Sequence, residues 1–358
     1  MRKIIILLSI LVILPVFSVK SYANEQTDAY LSEMDKLLPD SLSGITSDPD
    51  RLIDELSIEG LFSRVISAMS GERGMLSTMA LTLLACLILS SLHLFIPSEG
   101  GRVVTIGSGL VCSVLIFGNL SELYGSMCRS VDELNAFFGS IIPLVASVCA
   151  LGGNAGAAVA QSGGMYATLY ILGDGGGRVL RSFVTLGLAL GLLSPFPDSP
   201  ALTVGRWVRE GFTRALGILT LLIGAGFSLQ TLVASSADSM TMRTVKYMAS
   251  GLIPVVGSTV SGALSTLASG LSYAKGIIGA SAVAAIVTIA LAPLVVLLCC
   301  RLLFSLAISL SECFSSACLG IFTAYRFALD VMISLYALTG LIYLFEIIIF
   351  IKTGVAIL

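Results

Sequence analysis

Residues 277–300 read IIGASAVAAIVTIALAPLVVLLCC, a run without a single charge that closes at Arg301. At 1.5 Å per helical residue, about 20 apolar residues cover the roughly 30 Å of bilayer hydrocarbon. This stretch therefore predicts a membrane-spanning helix. Working outward, Val331–Ile351 predicts another, with one acid inside it, Glu346. Upstream, Met75–Ile96 is uninterrupted by charge, Val103–Leu120 follows a six-residue turn from Pro97 to Arg102, and Phe137–Ala160 is long enough but rich in glycine. Three further runs are less clean. Met165–Leu193 is broken by the hexapeptide GDGGGR at Gly173–Arg178, Leu216–Leu232 is short, and Leu302–Ala324 contains Glu312. The pattern predicts an all-α polytopic transmembrane bundle of six to eight spans, some of them broken or re-entrant.

Composition supports this solvent. The 358 residues are 56% hydrophobic and 12% charged, against roughly 25% charged in soluble domains. Water would face too much apolar surface. The charge is unevenly placed, because residues 24–74 hold eleven of the 22 acids but only four bases, Lys36, Arg51, Arg64 and Arg73. From Met75 on, charges nearly balance. No basic stripe of the kind nucleic acid requires is present, so lipid is the expected partner and nucleic acid is not.

The first residues carry an export signal. Arg2 and Lys3 precede an apolar core, Ile4–Val19, and Ser21-Tyr22-Ala23 offers small residues for cleavage before Asn24. This is the order of a secretory signal peptide over 1–23, with an uncleaved first span as the alternative. Either reading puts 24–74 outside the cytoplasm, in keeping with its poverty in Lys and Arg. That segment reads as short amphipathic helices. Tyr30, Leu31, Met34, Leu37 and Leu38 recur at helical spacing before Pro39, and a second start is marked by Asp48-Pro49 with Asp50 and Asp54 in the first turns. Leu52, Ile53, Leu56, Leu61, Phe62, Val65, Ile66 and Met69 then form an apolar stripe. About 50 residues bury little core alone. The stripe needs the membrane surface, the bundle or another protein. The expected organisation is 1–23 signal, 24–74 acidic extracytoplasmic helices and 75–358 multi-pass domain.

Arginine placement poses a problem. Arg178 and Arg181 favour the cytoplasmic side, as do Arg206, Arg209 and Arg214, yet one short apolar run separates the two clusters. Simple alternation would require one cluster to be misread. Residues 201–216 put Arg206, Arg209, Glu210 and Arg214 on one helical face and Trp207, Val208 and Phe212 on another. They read either as an interfacial helix or as the first turns of the next span.

The chemical inventory is thin. His93 is the single histidine, the eight cysteines lie mostly in apolar runs without CxxC spacing, and there is no GxxxxGK[ST] loop. Neither a metal site, a cofactor nor an ATP site is expected. GDGGGR lacks the strand–loop–helix setting of a phosphate loop and reads as a break in a membrane helix. Intramembrane charges are better clues, since each costs about 2.5–3.5 kcal/mol at a helix centre. Arg326 and Asp330 stand four apart and can neutralise each other. Glu346 has no local partner, and Glu312 sits in the polar patch SECFSS. Such residues line a hydrated path or lock helices together, or they snorkel to water from near an interface.

The most unusual stretch is Leu229–Leu267, LQTLVASSADSMTMRTVKYMASGLIPVVGSTVSGALSTL. It is too polar for a lipid-facing helix and too apolar for a solvent loop. Asp238, Arg243 and Lys246 are its charges, Pro254 and Gly257 break it, and Ser258, Ser261 and Ser265 follow. Broken helices at membrane depth occur only where they are buried in protein or line water. The stretch reads as the lining or packing centre of the bundle.

LQTLVASSADSMTMRTVKY and IPVVGSTVSGALSTL, preceded by FTRALGILTLLIGAGFSLQ, resemble the stage III sporulation protein AE family of endospore-forming Firmicutes. Together with the export signal and the multi-span region, the resemblance covers nearly the whole chain. It implies a mother-cell membrane subunit of the sporulation channel, or feeding-tube, complex that links mother cell and engulfed forespore. That complex is required for forespore development and late sporulation gene activation. Implied partners are other membrane and ring-forming subunits resembling secretion-system rings, and an ATPase-like cytoplasmic protein. Any ATP use would then lie in a partner, and residues 24–74 would lie between the two membranes. The family has no catalytic residues to carry over. A self-contained secondary transporter is the rival, for which broken helices with midplane charges are typical, although no internal repeat is evident. An intramembrane enzyme would need a paired nucleophile and base, and none is found.

Overall fold

The computed structural model describes residues 25–91, 98–151, 155–196, 201–252, 257–313 and 318–353. The side chains of 233–271 fall outside that description, as do the expected signal peptide and His93. Among the described residues every regular element is helical. The N-terminal segment forms α1 (Glu25–Leu37), two short 3₁₀ turns, α2 (Pro49–Leu56) and α3 (Ile58–Gly71). Then come α4 (Arg73–Ser91), α5 (Ser98–Leu151), α6 (Ala155–Tyr170), a π-helical turn (Ile171–Gly175), α7 (Gly176–Leu193), α8 (Ala201–Leu252), α9 (Gly257–Cys313) and α10 (Leu319–Thr353). Six stretches are long and apolar enough to cross a membrane: Arg73–Ser91, Val103–Ala150, Ala158–Leu193, Thr203–Leu232, Ser272–Glu312 and Leu319–Lys352. The fold is an all-α membrane bundle.

Several expected boundaries move. Val103–Leu120 and Phe137–Ala160 are not joined by a loop, because α5 runs through the polar stretch between them for 54 residues, or about 80 Å. Arg301 does not close a span. It lies inside the 57-residue α9, and Leu302–Ala324 is divided between α9 and α10. In both places a charge is paired across helices. Arg181 Nη2 lies 2.9 Å from Asp132 Oδ1, and Arg301 Nε lies 2.5 Å from Asp330 Oδ1. Glu72 shares a small cavity with Ser126, Met127, Pro293 and Leu297, and the Arg209 guanidinium sits 5.8 Å from the Phe327 ring. Leu81, Leu84 and Ile88 on α4 and Val111, Val114 and Leu115 on α5 face outward, as lipid-exposed positions should.

The arginine problem resolves as a helical hairpin. Residues 201–216 are the first turns of α8, not a separate helix. Phe183 of α7 packs edge-on against Phe212 of α8, with ring centroids 5.8 Å apart. The chain goes out and back between the clusters, and the Phe183–Phe212 contact puts Arg181 and Arg214 at a similar height along the helix pair.

The amphipathic N-terminal segment packs in part on the bundle, while Phe62, Ile66 and Met69 of its apolar stripe stay exposed. Met34, Leu38, Leu42, Ile45, Leu52 and Leu56 are buried. Arg64 of α3 holds Glu55 at 2.5 Å and donates to Thr288 Oγ1 of α9 at 2.6 Å. On α9, residues from Ala274 to Ile286 are almost wholly buried, which is why that run is apolar on every face.

The axis of the bundle is α10. Phe322, Tyr325, Leu329, Met332, Tyr336, Thr339, Tyr343, Glu346 and Phe350 are all buried. They recur at alternating intervals of three and four, the spacing of a helix seam packed into its neighbours. Tyr325 Oη donates to the Ser113 carbonyl at 2.8 Å, and Ser113 Oγ donates to the Gly191 carbonyl at 2.9 Å. Pro293 has no N–H, which removes the helical partner of the Ile289 carbonyl. Tyr336 Oη donates to that carbonyl at 3.3 Å and lies 2.9 Å from Ser130 Oγ. Close approach requires glycine at one point, since a methyl on Gly191 would lie 2.2 Å from a Tyr325 ring carbon. Gly191→Ala should therefore cost about 1–3 kcal/mol by overpacking. Gly118→Ala, which meets nothing within 4 Å, should leave the melting temperature in detergent unchanged or slightly raised.

Candidate functional site

Where α10 meets α6 and α8, a carboxyl group is sealed inside the bundle. Glu346 is 0% exposed. Thr168 Oγ1 of α6 donates to its Oε1 at 2.6 Å, and Gln230 Nε2 of α8 donates to its Oε2 at 3.0 Å. Gln230 Nε2 also reaches the Gln161 carbonyl at 3.5 Å. Gln161, Gly164 and Thr168 share one face of α6, at i, i+3 and i+7. Gly164 is part of the design of that face, because a methyl there would lie 2.6 Å from Gln230 Cδ. The amide of Gln161 is 1% exposed, and neither its Oε1 nor its Nε2 has a hydrogen-bond partner among the described residues; Gln230 Oε1 also lacks one. Buried polar atoms are rarely left this way.

One turn away, Tyr343 Oη donates to Asn135 Oδ1 at 2.5 Å, and its ring stacks on Phe138 at 4.1 Å. Asn135 abuts Gly173 in the π-helical turn. This explains GDGGGR. The widened turn brings the Leu172 carbonyl to within 1.9 Å of where a Cβ on Gly177 would stand, so only glycine fits. The expected break is a π turn within a continuous helical run, a feature often placed beside functional residues.

The other expected residues fall as follows. Asp330 does not pair with Arg326. Its partner is Arg301 of α9, because a neighbouring helix presents a guanidinium directly to the carboxylate. Arg326 is half-buried one turn earlier on α10, and Glu312 is exposed at the end of α9. Asp238, Arg243 and Lys246 lie on the backbone of α8, and Gly257, Ser258 and Ser261 open α9, with side chains outside the described part. Pro254 lies outside the described residues altogether. Among the described residues no cluster of three or more His, Cys, Asp or Glu could hold a metal ion. Cys86, Cys112 and Cys318 meet at one point, but their thiols reach backbone carbonyls at 3.7–3.9 Å and pack as small apolar groups. Sequence reading missed Gln161, Thr168, Gln230 and Asn135. Their signal was an isolated amide or hydroxyl in an apolar run, weaker than a charge.

Residues 41–354 match the family described as stage III sporulation protein AE. The chain belongs to that family. The stage III sporulation protein AE of Bacillus subtilis (strain 168) is 24% identical over 292 residues, covering 79% of this chain and 72% of its own length. No solved structure matches the chain. The family membership and the apolar helices make this a multi-pass membrane protein of a sporulation family.

The contacts around Glu346 define an energetic test. A double-mutant cycle between Glu346→Gln and Thr168→Val should give a coupling of about 1 kcal/mol, the scale of polar contacts between membrane helices. A cycle between Glu346→Gln and Ser228→Ala, on the exposed face of α8, should give none. Melting in detergent reads both.

Proposed function

We propose that this chain is a non-catalytic multi-pass subunit of the sporulation channel complex, set in the mother-cell membrane facing the forespore and needed for forespore development and late gene activation. The observation that carries the reading is the family match across 41–354, which includes α2 and α3 of the acidic N-terminal segment as well as the bundle. Two features fit a platform or conduit. The acidic helices α1–α3 rest on the bundle and present charge outward, a surface for ring-forming subunits in the space between the membranes. The chain has no P-loop, so energy from ATP would enter through an ATPase-like cytoplasmic partner. The interior residues Asp238, Arg243, Lys246, Pro254, Gly257, Ser258, Ser261, Arg326, Asp330 and Glu346 are proposed to line or lock the bundle.

A self-contained secondary transporter is the second reading, favoured by the π turn and the buried carboxyl beside it. Solute uptake by the purified protein alone in liposomes would support it. Deletion in the native spore-forming host tests the first. Forespores should engulf and then fail to mature, with rescue by the full-length chain. Normal maturation of the deletion strain would overturn the proposal.

A further inference from the structure

We infer that Gln161, Thr168, Gln230 and Glu346 form a binding site for a single alkali-metal cation inside the bundle. Three observations converge. Glu346 is completely buried, and the two hydrogen-bond partners shown for its oxygens, Thr168 Oγ1 and Gln230 Nε2, are neutral. Gln230 Oε1 is unpartnered on the same amide that meets Glu346, and Gln161, whose backbone carbonyl lies 3.5 Å from Gln230 Nε2, is buried with both atoms of its side-chain amide unpartnered. All four side chains are oxygen-bearing, and they come from three helices. A carboxyl group removed from water either takes up a proton or is given a counter-charge, and the spare oxygens here favour the second. Hard cations take oxygen ligands, and this site supplies them from one carboxyl, two amides and one hydroxyl. Charge selects the valence, because one carboxylate neutralises a monovalent ion and leaves a divalent ion with excess charge in an apolar interior. Thr168 stands three residues before the π turn, a helix irregularity often found at functional sites. Lys275 is the competing cation. Its ammonium lies 4.7 Å from the Phe350 ring, one turn along α10 from Glu346.

The inference stands apart from the channel reading, since a platform, a conduit or a transporter could each hold such an ion. The test uses the full-length protein purified in detergent in choline chloride, titrated with NaCl or KCl at constant ionic strength. The melting temperature should rise saturably with one of the two salts by several degrees, and radioactive 22Na⁺ or 86Rb⁺ should bind at about one ion per chain. Glu346→Gln should abolish both responses, and Gln161→Leu should weaken apparent affinity at least tenfold while Gly118→Ala leaves it intact. If the unmutated protein melts alike in sodium, potassium and choline and binds neither isotope, the site holds water or is neutralised by a proton or Lys275, and the inference is overturned. A salt response that survives Glu346→Gln overturns it as well.

Discussion

In a membrane bundle each buried polar group must find its partner inside the protein, because hydrocarbon supplies none. The architecture here follows from how α10 meets that constraint. Its buried seam carries three tyrosines, a threonine and a glutamate among apolar residues, and the tyrosines and the glutamate bond between them to four neighbouring helices. Tyr325 reaches α5, which in turn holds the end of α7 through Gly191. Tyr336 satisfies the carbonyl that Pro293 leaves open on α9. Tyr343 holds Asn135 of α5, and Glu346 ties α6 to α8. Apolar packing alone distinguishes poorly between one helix rotation and another. These bonds fix the rotation of α10 and, through it, the register of its neighbours.

The same constraint separates structural polar groups from functional ones. Around Tyr325 and Tyr336 the described donors have acceptors, so those sites explain themselves as helix locks. Around Glu346 the partners run out. The amide of Gln161 and the Oε1 of Gln230 are left over, as are the hydroxyls of Ser281 and Ser311 elsewhere among the described residues. A family with a sporulation role and no ATP-binding loop needs some way to respond to its surroundings, and a buried carboxyl with spare oxygen ligands is the group in this chain best built for that.

Much of the fold was legible in the sequence because hydropathy is a local property. Runs such as 277–300 announce helices, and Glu346 announced itself as a charge where charge is expensive. The boundaries failed where the reason was tertiary. Arg301 looked like a helix end, since nothing in a linear run reveals that a guanidinium will meet a carboxylate on another helix. Arg326 was matched to Asp330 because an i, i+4 pair is visible in a string, whereas the real partner is 29 residues away. Thr168 and Gln230 were invisible for a similar reason. They are mildly polar, they lie 178 and 116 residues from Glu346, and only the packing of three helices makes them one site. The arginine clusters on α7 and α8 looked contradictory in a linear run because it does not show that the two helices pack as a hairpin.

The axial position of α10 is the claim on which the rest stands, and cross-linking tests it most directly. In a cysteine-free background, Asn135→Cys paired with Tyr343→Cys should form a bond rapidly in native membranes under mild oxidation. Asn135→Cys paired with Leu341→Cys, on the outward face of α10, should not. Equal cross-linking of both pairs, or of neither, would contradict the account.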